Sequence, residues 1–366
     1  MAKLLFILKK REMTYEEDKV LNNVTPENPN CPYFKYCMSS GLRNSASFVV
    51  EMLNENGIEA KLVEVVDNNC IDREVTEYRP THVIIEAFWV VPEKFGVLSK
   101  LHPKVQWIIR NHSELPFLAN EGIAIDWSLE YLKYKNVSIA PNSYKTYLDT
   151  VEMVAATYSP LQAELRIMYL PNYYKIKKPI RRDFKKSDTL NIGCFGAVRP
   201  LKNHLLQAVA AVEYARKYSK KLKFHINVAR IEDNGNNPLK NIRSFFKHLP
   251  SNQYELVEHG WLEHDDFLKL VTKMDIGLQA SFTESFNIVS ADFVSQGVPI
   301  VVSEEIEWIP SQFYAKHTRG KDIVETMEKV LFGFHFWHKA WFALRGLYKY
   351  NRKSVKIWTE TFGLDY

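Results

Sequence analysis

Short apolar runs rich in Val and Ile alternate with amphipathic stretches along nearly the whole chain, and this alternation leaves few folds open. Parallel strands cannot be joined by tight hairpins, so each needs a crossover, usually a helix that packs back on the sheet. The pattern predicts a first series of strands at Lys3–Leu8, Lys61–Val66, His82–Glu86, Val105–Arg110, Val137–Ala140 and Ile167–Leu170. A long polar loop after the first of them is expected to end in Ser39–Leu42, before a helix over Asn44–Asn56 closed by Gly57, which can take the left-handed conformation a helix end favours. A second series is predicted at Leu190–Phe195, Leu222–Val228, Tyr254–His259, Ile276–Gln279 and Pro299–Val302, with amphipathic stretches such as His204–Tyr218 between them. At 366 residues, 46% of them hydrophobic, the chain exceeds what one core usually holds and can fill two. The expectation is an α/β protein of two Rossmann-like domains, 1–174 and 190–333, joined by a basic linker at 175–189. A helical segment at 334–366 follows, either packed on the second domain or crossing back to the first.

The net charge of +5 becomes informative when divided along the chain. Residues 1–174 hold 18 Lys and Arg against 22 Asp and Glu, whereas the remainder carries +9, of which Lys175–Lys186 (KIKKPIRRDFKK) supplies +6. Such a stretch is a solvated linker kept extended by self-repulsion, or a site for a polyanionic acceptor or membrane headgroups. No apolar run approaches the roughly 20 residues that cross a bilayer, and the N-terminal strand lacks a signal peptide's cleavage pattern, so a cytoplasmic protein without integral membrane association is expected. Cys31, Cys37, Cys70 and Cys194 form no CxxC pair, which points to free thiols rather than to zinc.

The most informative stretch is Thr283–Ser303, TESFNIVSADFVSQGVPIVVS. Glu284 is expected at the end of a strand, with Ser285, Phe286, Asn287 and Ile288 where the next helix starts. A helix N-terminus presents free N–H groups and partial positive charge, which suits a diphosphate. Asp292 lies eight residues beyond Glu284, so one carboxylate can meet a sugar and the other a ribose hydroxyl. Upstream, Gly196-Ala197-Val198-Arg199-Pro200-Leu201-Lys202-Asn203 joins a strand to a helix, and two cations at a helix start oppose its dipole unless an anion binds there.

These motifs resemble the retaining glycosyltransferases of the GT-B fold, in the large family often called GT4. The family signature E-[GS]-F-x5-E-x4-G-x-P-x-V is matched at Glu284, Ser285, Phe286, Gly297, Pro299 and Val301, with Asp292 where the family has Glu. The resemblance implies that Lys202 holds the donor diphosphate; Arg199 is offset from the family's basic residue, whose place is taken by Ala197. It implies that His112, after the strand ending at Arg110, reaches the donor sugar, and that Gly41 lies near the phosphates or the acceptor. It places the nucleobase near His259-Gly260-Trp261. The implied activity is metal-independent transfer from a nucleotide diphosphate sugar, a UDP-sugar foremost, across a cleft between the domains, with no further cofactor. Glu284, His112 and Lys202 would be catalytic. Gly196, Arg199, Ser285, Phe286, Asn287, Ile288, Asp292 and Gly260 would complete the donor site, with Gly41 on the acceptor side. No D-x-D triplet occurs, so cations and helix N–H groups would stabilise the leaving diphosphate.

The rival readings are an epimerase or phosphorylase of the same fold and a donor-binding scaffold without turnover. The phrases GAVRPLKN and RNHSELPFLANEG are similar to phage-encoded members of the family, which admits hydroxymethylated DNA as acceptor beside a glycan, lipid or protein hydroxyl. Lys175–Lys186 and the Lys339–Lys356 stretch, with Arg345, Lys349, Arg352 and Lys353, are the cations available for a polyanion.

Overall fold

The computed structural model describes residues 2–12, 36–37, 40–180, 187–228, 236–260, 262–332 and 336–363. They divide into two compact units: 2–12, 36–37, 40–175 and 349–363 in the first, and the rest from 176 to 348 in the second.

The first unit is built on strands β1 (Lys3–Lys9), β4 (Glu59–Val65), β5 (His82–Glu86), β6 (Gln106–Asn111) and β7 (Val137–Pro141), all parallel, in the order β4-β1-β5-β6-β7. A separate two-residue ladder pairs β2 (Arg11–Glu12) with β3 (Tyr36–Cys37). The five strands are near-continuous apolar runs because both faces of the sheet are covered. Leu4, Phe6, Ile84, Ile108 and Ala140 point to one side, against Ala46, Val49 and Leu53 of the helix Ser40–Glu55 and against Trp358 and Phe362. Leu5, Ile7, Val83, Ile85, Trp107 and Ile109 point to the other, against Ile71, Val75, Phe95, Leu98 and Tyr131. Gly57, at φ +79°, ends the first helix as expected, its N–H donating to Asn54 O.

Two expectations are corrected here. The helix begins at Ser40, so Gly41 and Leu42 are helical rather than part of a loop. Ser and Gly are tolerated in a first turn, whose N–H groups have no intrahelical acceptor. Ile167–Leu170 is not a strand: Ile167 makes one bridge to Ile139. The ladder stops because Pro141, the last residue of β7, has no N–H to donate: Leu170 N still donates to Pro141 O at 3.1 Å, and the Arg110 guanidinium then takes the carbonyls that follow, Nε donating to Leu170 O at 3.1 Å and Nη2 to Pro171 O at 3.0 Å.

The second unit carries β8 (Thr189–Gly193), β9 (Lys221–Asn227), β10 (Tyr254–His259), β11 (Ile276–Gln279) and β12 (Ile300–Val302), again parallel, ordered β10-β9-β8-β11-β12. Its two central strands meet at paired glycines, Gly277 opposite Gly193. A Cβ on Gly277 would come within 2.8 Å of the Phe293 ring, and one on Gly193 within 2.7 Å of the same ring and 2.6 Å of Phe195. Phe293 belongs to the helix Ile288–Ser295, so the bare glycines let that helix settle onto the sheet. The final helix, Phe336–Phe362, is shared, its residues from 349 on belonging to the first unit. There Trp358 is fully buried, with Nε1 donating to Pro171 O at 2.8 Å, and Asn351 exchanges hydrogen bonds with the Tyr174 backbone. Cys70 and Cys194 are free thiols, and no helix among the described residues is long and apolar enough to cross a membrane.

Gly277→Ala is expected to lower the unfolding free energy by about 1–3 kcal/mol, the usual cost of an extra methyl in a filled core. Urea unfolding measures this, and an unchanged midpoint would show that Phe293 does not depend on the glycine pair.

Candidate functional site

In the second unit two loops leave the carboxyl ends of the neighbouring strands β8 and β11, the end of a parallel sheet where α/β proteins place ligands. The first turns at Gly196, whose φ of +116° explains the glycine, and whose N–H donates to Asn227 Oδ1. After Arg199 a short turn, Pro200–Lys202, leads to Asn203 in the left-handed region and then to the helix His204–Lys217. The second loop is clasped to the first. Asn203 Nδ2 donates to Ala280 O at 3.0 Å, Gln207 Oε1 accepts from Ala280 N at 2.8 Å, and Phe282 N donates to Leu201 O at 2.9 Å. This clasp delivers Lys202 to Glu284, with Nζ 2.5 Å from Oε1 and the two side chains only 12% and 6% exposed.

Glu284 is placed within this second loop, five residues beyond the end of β11 rather than at the strand terminus expected. Burial alone would raise its pKa; the charges of Lys202 and then Arg199, with the Lys202 hydrogen bond, outweigh it and hold the carboxyl below its ordinary value. The same cations act on His204, a buried imidazole with no partner at either ring nitrogen. Burial first, then Lys202 and Arg199, push its pKa down to about 3.

The stretch 285–288 divides its tasks. Ser285 precedes Phe286, which is buried against Trp308 and accepts the Trp308 indole N–H at its carbonyl, so this ring is core. Asn287, at φ +60°, caps the helix that Ile288 begins: Oδ1 accepts from Ser290 N at 2.8 Å, while Nδ2 donates to Gln279 Oε1 at 2.8 Å. Asp292 is buried, its Oδ1 2.7 Å from Nε2 of His264, a partner that the sequence did not suggest. Gly260 directly follows β10, and Trp261 lies outside the described residues. Just before it, His259 Nε2 sits 2.9 Å from His225 Nδ1, whose other nitrogen is 3.2 Å from Asn191 Oδ1; burial, His259 and Lys223 lower the His225 pKa to about 4.

The first unit has its own buried charge cluster. Glu86, the last residue of β5, lies in register with Arg110 on β6, and both side chains are fully buried. Arg110 Nη1 reaches the two Glu86 oxygens at 3.1 and 3.3 Å, and Nη2 donates to Asn172 Oδ1 at 2.6 Å. His112 closes on the same carboxylate through Nε2, while Asn142 Nδ2 donates to its Nδ1 at 3.2 Å. This network assigns the ring proton to Nε2. Burial lowers the His112 pKa more than Glu86 raises it, so the imidazole is neutral, and Glu86 is held low by Arg110 and His112 against its burial. Gly41, in the first turn of the helix Ser40–Glu55, would place a Cβ within 4 Å of nothing. Glu86, Arg110, Asn142 and His264 were not foreseen. The available signal was a charged residue ending each of two otherwise apolar runs, HVIIE and VQWIIR.

No family model and no curated protein matches the sequence. Solved structures match it in fold. The trehalose-6-phosphate synthase OtsA superposes over 100% of both chains with a TM-score of 0.69 at 9% identity. An α-glucosyltransferase in complex with UDP and a 13-mer DNA containing an HMU base matches over 99% of each chain, with a TM-score of 0.65 at 12% identity. A trehalose-6-phosphate synthase described in a study of enzymatic glycosyltransfer with retention matches over 80% of this chain and 76% of its own, with a TM-score of 0.62 at 11% identity. At such identities the likeness is one of fold, and the chain shares their architecture of two Rossmann-like domains.

The depressed histidines make stability acid-sensitive, His204 and His225 most of all. The folded pKa values of these two, about 3 for His204 and about 4 for His225, lie below the ordinary histidine value of 6.5, so below pH 6.5 the unfolded chain binds protons that the folded chain refuses. Unfolding free energy should fall with pH from about 6.5 downward, by up to about 1.4 kcal/mol per pH unit for each histidine. His204→Leu should remove one proton's worth of that slope in urea unfolding between pH 8 and 5; parallel profiles would contradict it.

Proposed function

We propose that the chain is a retaining, metal-independent glycosyltransferase that takes a sugar from a UDP-sugar and delivers it to an acceptor hydroxyl. The observation that carries this reading is the buried Lys202–Glu284 pair, with Arg199 acting on the same carboxylate, between the starts of the helices His204–Lys217 and Ile288–Ser295. Cations beside helix N-termini are built for an anion, and charge develops on the leaving diphosphate as the bond to the sugar breaks. In this reading Lys202 and Arg199 stabilise the departing diphosphate. Glu284, kept ionised, orients the sugar hydroxyls; Asp292, steadied by His264, holds the ribose. Ser285, Asn287 and Ile288 shape the helix start, and Gly196 and Gly260 let the backbone approach the donor. His112 is the first unit's candidate for a contact to the transferred sugar. The transition state has oxocarbenium character, and the donor phosphate takes the acceptor proton. Two of the compared structures support the choice of donor and stereochemistry, one holding UDP and the other being studied for transfer with retention.

For the acceptor the reading favours a hydroxymethylated base in DNA, supported by the compared α-glucosyltransferase that holds modified DNA. The basic stretch after residue 174 carries less of this reading than its sequence suggests. Lys175 bonds Glu51 and Glu55, Lys177 bonds Asp265, and Arg181–Lys186 lie outside the described residues. The last helix exposes Lys349, Arg352 and Lys353, together with Lys356, whose Nζ lies 3.6 Å from a Glu360 carboxylate oxygen.

A mass-spectrometric screen of UDP-sugars against hydroxymethylated DNA, glycans and lipid-linked acceptors tests the activity. Transfer to DNA alone is expected, and transfer to another class would replace the acceptor. Lys202→Ala should weaken UDP binding and slow transfer by about 2–4 kcal/mol, the scale of a lost contact to developing charge. Glu284→Gln should remove most turnover while UDP affinity holds or rises, because Lys202 is released from its carboxylate. An excess of EDTA should leave the wild type active; complete loss would sink the metal-free mechanism.

A further inference from the structure

Beside His112 the first unit carries a tyrosine cluster that the donor chemistry does not use. Asn142, which donates to the His112 ring, is followed by Ser143, the N-cap of the helix Tyr144–Thr157. Tyr144 and Tyr147, on the first turn of that helix, stack with centroids 5.8 Å apart and planes 28° apart. Tyr169 meets both, at 5.5 Å from Tyr144 and 6.1 Å from Tyr147. Lys353 of the last helix holds its ammonium 5.2 Å from the Tyr144 centroid. Tyr144 nevertheless remains 45% exposed. Lys349, Lys353 and Lys356 recur at helical spacing on one exposed side, flanked by Arg352.

Tyr147 packs against the core that holds Leu132, Ile139 and Ile167 and so backs the cluster from inside, whereas Tyr144 keeps its ring in solvent beside a row of cations. Planar faces with a positive rim match a strand that offers bases and phosphates together. We propose that Tyr144, Tyr147 and Tyr169, with the Lys349–Lys356 ridge, bind single-stranded DNA, an unpaired base stacking on Tyr144 and the backbone following the ridge. Lys353 has a flexible stem, and an exposed cation–π contact is weaker than base–aromatic stacking, so its ammonium turns to a phosphate as the base takes the ring. The inference rests on the DNA acceptor reading and adds to it the surface that receives the strand. An unpaired base is also one that an active site can enclose.

Fluorescence anisotropy of a labelled single-stranded oligodeoxynucleotide with the full chain, over a series of salt concentrations, tests this. Tyr144→Ala should weaken binding about tenfold or more, whereas Tyr144→Phe, which keeps the stacking face, should bind as the wild type does. Lys353→Gln should reduce the log–log salt slope by about 0.7, the value for one phosphate contact on a single strand. No binding at low salt, equal losses in the Ala and Phe variants, or tighter binding of the matching duplex or RNA strand would overturn the proposal. UDP titrated into the same preparations separates the two readings. UDP binding without DNA binding removes the tyrosine platform alone; DNA binding without UDP binding removes the donor reading and leaves the platform.

Discussion

A carboxylate buried at the carboxyl end of a parallel sheet has to be paired, because an isolated buried charge costs several kcal/mol. Each unit of this protein meets that constraint with a cation delivered from the neighbouring strand or from the loop that follows it. In the first, Glu86 ends β5 in register with Arg110 near the end of β6, and the remaining guanidinium donors go to Leu170 O, Pro171 O and Asn172 Oδ1. The segment after β7 is thereby drawn over the sheet, where Trp358 seals it with a hydrogen bond to Pro171 and a ring 5.4 Å from the guanidinium carbon. In the second unit Glu284 draws Lys202 across from the loop after β8.

The chemistry of the second site follows from how little freedom its loops retain. Ala280 is gripped at its carbonyl by Asn203 and at its N–H by Gln207, and Gln279 links Asn287 to Phe195 O. Those side chains are polar and buried because each satisfies backbone groups that leave the sheet unpaired. The glycine pair beneath Phe293 sets the height of the helix that Asn287 caps. Asp292 lies on that helix, and its short side chain is met by His264, so an imidazole stands next to an acid that is one methylene shorter than the family pattern carries.

Much of this was legible in one dimension. Apolar runs of strand length separated by amphipathic stretches give two parallel sheets, and the motifs at Gly196–Lys202 and Glu284–Asp292 fall at two loops that are hydrogen-bonded to each other. What was not legible depends on pairing between distant segments. Arg110 and Glu86 read as polar ends of separate strands until the register sets them side by side. Ile167–Leu170 has strand composition, yet it runs beside Pro141, which has no N–H to complete the ladder. Ser39–Leu42 reads as a loop from residue types that a first helical turn also accepts. Phe286 belongs to the most informative motif, but its ring serves the core through Trp308. His264 lies 28 residues from Asp292, and nothing in its neighbourhood announces a carboxylate.

The central claim is that Lys202, Arg199 and the adjoining helix starts hold a nucleoside diphosphate. Calorimetric titration of UDP, UMP and uridine into the intact chain tests it most directly. The account predicts that UDP binds at least about tenfold more tightly than UMP, since the second phosphate gains charge-assisted bonds, and that uridine binds more weakly than either. Equal affinities for UDP and UMP, or no binding of UDP, would contradict it.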